Sequence, residues 1–88
     1  MTLRLYGDFL RHPGMSAVSL SAKGLWVVIA DWSDDHQTGG AVPCDVVTAL
    51  RGTPELIEEL IAKELWVRTE GGIRFLDWEY WMSAPEAK

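Results

Sequence analysis

Apolar residues are densest between positions 21 and 32, where the sequence reads SAKGLWVVIADW. They recur at the i, i+3, i+4 and i+7 spacing of one helical face, at Leu25, Val28, Ile29 and Trp32. Trp26, Val27 and Ala30 cover much of the remaining circumference, so we expect neighbours to bury this helix on several sides. Ser21 is the expected N-cap. A buried strand through LWVVIA is the alternative, because β-branched residues favour strands and interior Gly24 costs a helix ~1 kcal/mol relative to alanine.

Turn-forming residues divide the rest of the chain. Residues 3–6 alternate loosely and predict a short strand, and a Pro-Gly pair predicts a turn at residues 11–14. The polar residues 34–40 predict a loop whose two glycines end the central helix. Residues 41–43 are expected to be extended, since the residue before a proline avoids the helical region, and residues 44–50 then form a short helix.

A third helix is predicted over residues 54–64. Thr53 suits its N-cap and Pro54 its first helical position. The apolar positions of this segment share one face, formed by Leu56, Ile57, Leu60, Ile61 and Leu65. We therefore expect this helix to pack against the central one through that face.

Two β-prone runs, residues 66–69 and 73–76, flank a Gly-Gly pair and predict a β-hairpin. A two-residue loop made of these glycines sets Arg68 opposite Phe75. Because side chains alternate along a strand, Arg68 and Arg74 then point to opposite faces.

Three helices followed by a hairpin is the element order of the winged-helix variant of the helix-turn-helix. We therefore expect an α+β fold of the winged helix-turn-helix type, with a short N-terminal strand and a C-terminal hairpin wing. One domain is expected over residues 1–82, with a flexible tail at residues 83–88.

Two long stretches also resemble a known family. They are LSAKGLWVVIADWSDDHQTGGAVP and, after a short helix, ELIAKELWVRTEGGIRFLDWEYW. They resemble the winged-helix domain at the N-terminus of replication-initiation proteins of actinobacteria and their phages. That family carries, in the same order, a Leu-Ser…Gly-Leu-Trp helix, an Asp-Gly-apolar-Pro turn, a Gly-Leu-Trp helix end and a Gly-Gly…His-Asp-Trp wing. The resemblance implies a phage or actinobacterial origin and a setting near DNA replication.

The chain departs from the family pattern at two places. Gly39 and Gly40 replace the Asp-Gly of the turn, and Leu76 replaces the histidine before Asp77 and Trp78. Nothing that depends on that histidine is carried over to this chain.

The composition bears on partners and location. The 88 residues include five Trp, two Tyr and two Phe, enough for a self-standing core. The formal net charge of −5 argues against a protein that holds nucleic acid by bulk electrostatics. No apolar run is long enough to span a membrane, and the start is too short for a signal peptide. The single cysteine, Cys44, excludes an internal disulfide, so a cytoplasmic location is expected.

Charged residues offer two kinds of candidate surface. The third helix occupies the position of a recognition helix, and its outward side carries Glu55, Glu58 and Glu59. These carboxylates are interpreted as a solvated face or as a face for a basic partner protein; insertion into the major groove is the third alternative. The candidates for nucleic-acid contact are the cations around the wing, Arg51, Lys63, Arg68 and Arg74.

The segment 77–82 is dense in aromatic residues. If it is extended, Trp78 and Tyr80 share one side and Trp81 takes the other. Trp and Tyr are favoured interface anchors, so these residues and Met82 are candidates for a protein interface, including a homodimer. Simple closure of the core is the alternative.

The sequence offers little for catalysis or metal binding. The polar set Asp31, Asp34, Asp35 and His36 lacks the glutamate that closes a calcium loop, since Val42 stands at that place. Cys44 with His12 or His36 carries no signature of a nucleophile and its base. We expect no enzyme activity, no metal, no cofactor and no small-molecule ligand.

The sequence therefore predicts a non-enzymatic winged-helix module that acts mainly by protein–protein contact, with self-association as one form of it. A DNA-binding module that uses the wing is the alternative. A third hypothesis is an acidic decoy that occupies the DNA site of another protein, for which the net charge is the support.

Overall fold

A computed structural model describes residues 13–82 of the chain. This part forms an α+β domain of five helices and one three-stranded antiparallel sheet. The elements in chain order are α1 (Pro13–Ser16), α2 (Leu20–His36), β1 (Ala41–Pro43), α3 (Cys44–Ala49), α4 (Pro54–Ala62), β2 (Trp66–Arg68), β3 (Gly72–Phe75) and α5 (Trp78–Met82). None of the helices within the described residues has the length and apolarity needed to cross a bilayer.

The central apolar run is a helix, as predicted, and the alternative of a strand through LWVVIA is wrong. The helix is longer than expected, because Ser19 rather than Ser21 is the N-cap and accepts a hydrogen bond from the Ala22 N–H at 3.1 Å. It ends at Gln37, which adopts the left-handed conformation at φ 58°. The expected stop at the two glycines is therefore wrong, and residues 34–36 belong to the helix.

The buried face of α2 is rotated relative to the predicted stripe. It comprises Ala22, Leu25, Trp26, Ile29, Ala30 and Ser33. Val28, which the spacing placed inside, is 46% exposed, and Trp32 is half-buried. The apolar pattern covered most of the circumference, so it did not distinguish which arc faces the core.

The two later helices begin where predicted. Thr53 caps α4 by accepting a hydrogen bond from the Leu56 N–H at 3.2 Å. Both helices end slightly earlier than predicted, α3 at Ala49 and α4 at Ala62. Of the predicted apolar face, Leu60 and Leu65 are buried, and the remaining members pack half-buried against the core.

The sheet has the strand order β1-β3-β2. The extended segment 41–43 is thus an edge strand, with Val42 paired to Ile73. Its outer side has few hydrogen-bond donors, because the Ala41 N–H donates to the Thr38 carbonyl at 3.3 Å and Pro43 has no N–H.

The hairpin register differs from the prediction by two residues. Arg68 pairs with Ile73 instead of Phe75, and Phe75 pairs with Trp66. The loop consists of Glu70 and Gly71, since the Thr69 N–H donates to the Gly72 carbonyl at 2.9 Å. A shift by two residues keeps every side chain on its face, so Arg68 and Arg74 still point to opposite sides.

Gly72 is the first residue of β3, and strand β1 approaches its backbone closely. A Cβ at this position would lie 2.1 Å from the Val42 carbonyl oxygen and 2.8 Å from the Cys44 nitrogen. The glycine therefore permits β1 to join the sheet, which is its role here rather than turn formation.

Aromatic rings form the centre of the core. Trp26 of α2 packs edge-on against Phe75 and Trp81, with ring centroids 5.2 and 5.1 Å apart. Phe75 also contacts Trp66 at 5.4 Å. The extended arrangement considered for residues 77–82 does not occur, because residues 78–82 form helix α5, and Trp81 is 1% exposed.

Some predictions concern the ends of the chain. The strand at residues 3–6, the first half of the turn at 11–14 and the tail at 83–88 lie outside the described residues. Where the structure describes the predicted turn, Pro13 and Gly14 open helix α1 instead.

Candidate functional site

The acidic side of α4 is largely engaged within the domain. Glu58 forms an ion pair with Arg68 of β2. Glu59 accepts two hydrogen bonds from Ser19, one from its N–H at 2.6 Å and one from its hydroxyl at 2.9 Å. Glu55 is exposed and has no hydrogen bond or ion pair within the described part of the chain. Of the three candidate carboxylates, two therefore have a partner within the described residues.

Glu59 joins two helices. Its carboxylate binds the N-cap residue of α2, where unpaired N–H groups and the helix macrodipole favour an anion. Glu59 is therefore half-buried and bonded within the domain, and its role in a partner interface stays a prediction. A carboxylate on one helix binding the N-cap of another, 40 positions away in sequence, leaves no periodic signal in the sequence.

The four candidate cations lie on different elements. Arg51 is in the α3–α4 turn at φ 78°, Lys63 follows α4, Arg68 is in β2 and Arg74 is in β3. All four are exposed, but Arg68 is paired with an acid. The register puts Arg68 and Arg74 on opposite sides of the sheet. The two arginines of the hairpin therefore cannot both contact the same DNA backbone from one face of the sheet.

Trp78 lies at the meeting point of two clefts. The first has a volume of about 560 Å³ and is lined by Gly39, Arg74, Phe75, Asp77, Trp78 and Glu79. The second, about 360 Å³, is lined by Ser33, Asp34, Gln37, Gly39 and Trp78. Because both share Gly39 and Trp78, we call them together the Trp78 groove. The indole of Trp78 is half-buried and packs against Phe75 with centroids 5.1 Å apart.

The loop after α2 holds this groove in shape. The buried Ser33 hydroxyl accepts a hydrogen bond from the Gly40 N–H at 2.8 Å and contacts the Thr38 hydroxyl. Gly40 adopts φ 94°, and a Cβ there would lie 3.2 Å from side-chain atoms of Phe75 and Trp78. The glycine thus lets the loop approach the indole closely.

Carboxylates surround the Trp78 groove. Asp34 lies in the last turn of α2, Asp77 precedes α5 at φ 59° and Glu79 lies in the first turn of α5. No cation lies within 4 Å of these three carboxylates in the described part of the chain. Arg74 is the one basic residue in the lining of this groove, so the groove carries a local excess of negative charge.

Of the four aromatic-segment candidates, the structure leaves Trp78 at the surface. Trp81 is part of the core, so it is corrected from interface anchor to core residue. The side chains of Tyr80 and Met82 lie outside the described part of the structure. Sequence reasoning missed Asp34 and Gly40 as neighbours of Trp78, because only the fold brings residues 33–40 against α5.

The surface has other features outside the Trp78 groove. An apolar groove of about 440 Å³ lies between α2 and the sheet, with Trp32, Pro43 and Ile73 in its lining. His36 stacks on Trp32 at 4.2 Å and lies 4.0 Å from Asp35. Cys44 is an exposed free thiol, and His12 lies outside the described residues. Residues 13–82 contain no group of three or more His, Cys, Asp or Glu side chains placed to share a metal ion.

Comparisons with protein-family models, with curated proteins and with solved structures find no match to this chain.

Proposed function

We propose that the protein is a non-enzymatic module of the winged-helix type that acts by binding another protein. Three helices, α2 to α4, precede the β2–β3 hairpin, and β1 pairs with that hairpin as a third strand. This order is compatible with a winged helix. The sequence resemblance adds a phage-type setting of replication or host takeover to the proposal.

The observation that carries the proposal is the position of Trp78. A tryptophan that is half-buried between two clefts presents a large, rigid apolar surface at low entropic cost, as interface anchors do. The indole of Trp78 is held in place by ring packing with Phe75 and by the close approach of the Gly40 backbone. The groove is thus preorganised for a partner.

The charge distribution favours a protein over DNA as the partner. The net charge is −5, and the recognition-helix position carries three glutamates. Binding to duplex DNA depends on neutralising phosphates, and Arg68 would first have to leave Glu58. Arg51, Lys63 and Arg74 remain for the alternative of DNA contact through the wing.

Photocrosslinking in the native cell tests protein binding. A photoreactive residue in place of exposed Gln37, which lines the second cleft and leaves Trp78 intact, is expected to give a discrete protein adduct, identified by mass spectrometry. The same residue at exposed Glu70, in the hairpin loop, serves as the control. Adducts to nucleic acid alone, or equal adducts from both positions, would contradict the proposal.

A DNA titration tests the alternative directly. We expect no salt-sensitive binding to random duplex between about 50 and 200 mM salt. Binding that weakens on Arg51→Ala or Arg74→Ala would establish the DNA-binding alternative in place of the protein-binding one.

A further inference from the structure

We infer that the Trp78 groove receives a Lys or Arg side chain from a basic segment of the partner protein. This inference rests on the proposed function and specifies the chemistry of the partner. It moves the predicted site for a basic partner from the glutamates of α4 to the groove beside α5. The physical grounds are charge complementarity, the end of helix α2 and the exposed part of the indole.

The first ground is the set of carboxylates around the groove. Asp34 lies on one side of Trp78, and Asp77 and Glu79 lie on the other. No basic side chain within 4 Å neutralises any of them in the described residues. The carboxylates of α4 differ, since Glu58 and Glu59 already have partners inside the domain. The groove is therefore where unneutralised charge and concave shape coincide.

The second ground is the charge at the C-terminal end of α2. The C-terminal end of a helix carries partial negative charge, so it favours cations in its last turn. Asp34 and Asp35 occupy this turn instead, and His36 is its basic residue. Placing acids there costs the free helix stability. Local conflicts of this kind are expected at functional sites, and a bound cation would relieve this one.

The third ground is the indole itself. A guanidinium or ammonium group over the face of a tryptophan gains cation–π attraction, and its aliphatic stem covers apolar surface. Trp78 has Phe75 on one side, so its partly exposed surface is available to a ligand entering either cleft. Clefts of about 560 and 360 Å³ are large enough for such a side chain.

The position of Arg74 indicates which of the two clefts receives the cationic side chain. It lies in the cleft with Asp77 and Glu79, while the cleft with Asp34 has no basic residue in its lining. The cationic side chain is therefore expected in the Asp34 cleft. Arg74 then favours an acidic or carbonyl group of the same partner segment on the other side of the indole.

The test uses a short peptide of alternating lysine and glycine as the probe. Binding is followed by NMR, with the indole N–H of Trp78 and the backbone amides near it as reporters. The titration is made at about 0.15 M ionic strength. The Debye length is then ~8 Å, so peptide binding depends mainly on charges near the groove. The expected result is a saturable shift confined to residues 33–39 and 74–79, with no shift from a glutamate–glycine peptide.

Charge-matched variants separate the groove from the overall negative charge. D34N/E79Q removes two charges in the groove, and D45N/E70Q removes two exposed charges outside its lining. The first is expected to weaken peptide binding about five- to tenfold, the second less than twofold, from local pair energies. Equal weakening by both variants would overturn the inference, since binding would then follow net charge.

Replacement of the indole provides a second measurement. Trp78→Leu keeps an apolar contact with Phe75 and is expected to weaken peptide binding about threefold or more. Unchanged affinity in a variant with an intact amide spectrum would contradict the stacking role.

Failure of the inference is distinct from failure of the proposed function. If crosslinking at position 37 yields a protein but the lysine peptide does not bind in the groove, the partner chemistry is wrong and protein binding stands. If crosslinking yields no protein, both proposals fail.

Discussion

The close approach of β1 to Gly72 makes this residue the sharpest test of the architecture. We expect Gly72→Ala to separate β1 from β3. The added methyl group would lie 2.1 Å from the Val42 carbonyl oxygen, whereas ordinary contact begins at 3.4 Å. The strands must therefore move apart by about 1.3 Å, which breaks hydrogen bonds such as the one from the Cys44 N–H to the Gly71 carbonyl at 2.9 Å.

The magnitude follows from the short ladder that is lost. At about 0.5–1.5 kcal/mol for each net hydrogen bond, losing most of the β1–β3 pairing lowers the free energy of unfolding by about 2–4 kcal/mol. Domains of this size have about 5–15 kcal/mol in total, so the loss is large but leaves a measurable transition. Urea unfolding followed by tryptophan fluorescence measures it.

The neighbouring glycine is a matched control. A Cβ on Gly71 meets nothing within 4 Å, and its φ lies outside the left-handed region. Gly71→Ala is therefore expected to change stability by less than about 1 kcal/mol, through the unfolded state. If Gly72→Ala were as stable as Gly71→Ala, the pairing of β1 with the hairpin would be wrong.

Three further changes test the helices and the core. Gly24→Ala should raise the stability by about 0.5–1 kcal/mol, since the new methyl group meets open space in a helix interior; a lower midpoint in thermal unfolding would contradict this. Glu59→Gln should cost about 1 kcal/mol through its bonds to Ser19, whereas Glu55→Gln should cost almost nothing; equal effects in urea unfolding would rule out the α2–α4 link. Trp81→Ala should cost about 3–5 kcal/mol through the cavity it leaves; a native-like transition midpoint would place this ring outside the core.

The elements with strong local signals could be predicted from the sequence. Thr53 and Pro54 mark the start of α4 by cap chemistry that acts within four residues. The apolar stretch over residues 21–32 is long enough for about three turns of helix. These signals depend on neighbours in sequence, and they predicted the α+β class and the order of the elements from α2 to β3.

The incorrect predictions concern features that tertiary contacts determine. A two-residue register shift leaves the face pattern unchanged, so alternation could not reveal that Gly72 belongs to β3. The sequence does show Trp78 and Asp34, but 44 positions separate them, and the groove exists only once α5 packs beside the loop after α2. The aromatic density of residues 77–82 was visible, whereas the inward direction of Trp81 required the helix.

The outer side of β1 affects how the protein behaves in a crowded solution. Val42 pairs with Ile73 of β3, and the Ala41 N–H already donates to the Thr38 carbonyl. Pro43 has no N–H, so it cannot donate at all. A second chain approaching this border finds acceptors without matching donors, so it cannot continue the ladder from molecule to molecule. Fibril growth by strand addition is blocked along this border, and any association there must be made by side chains.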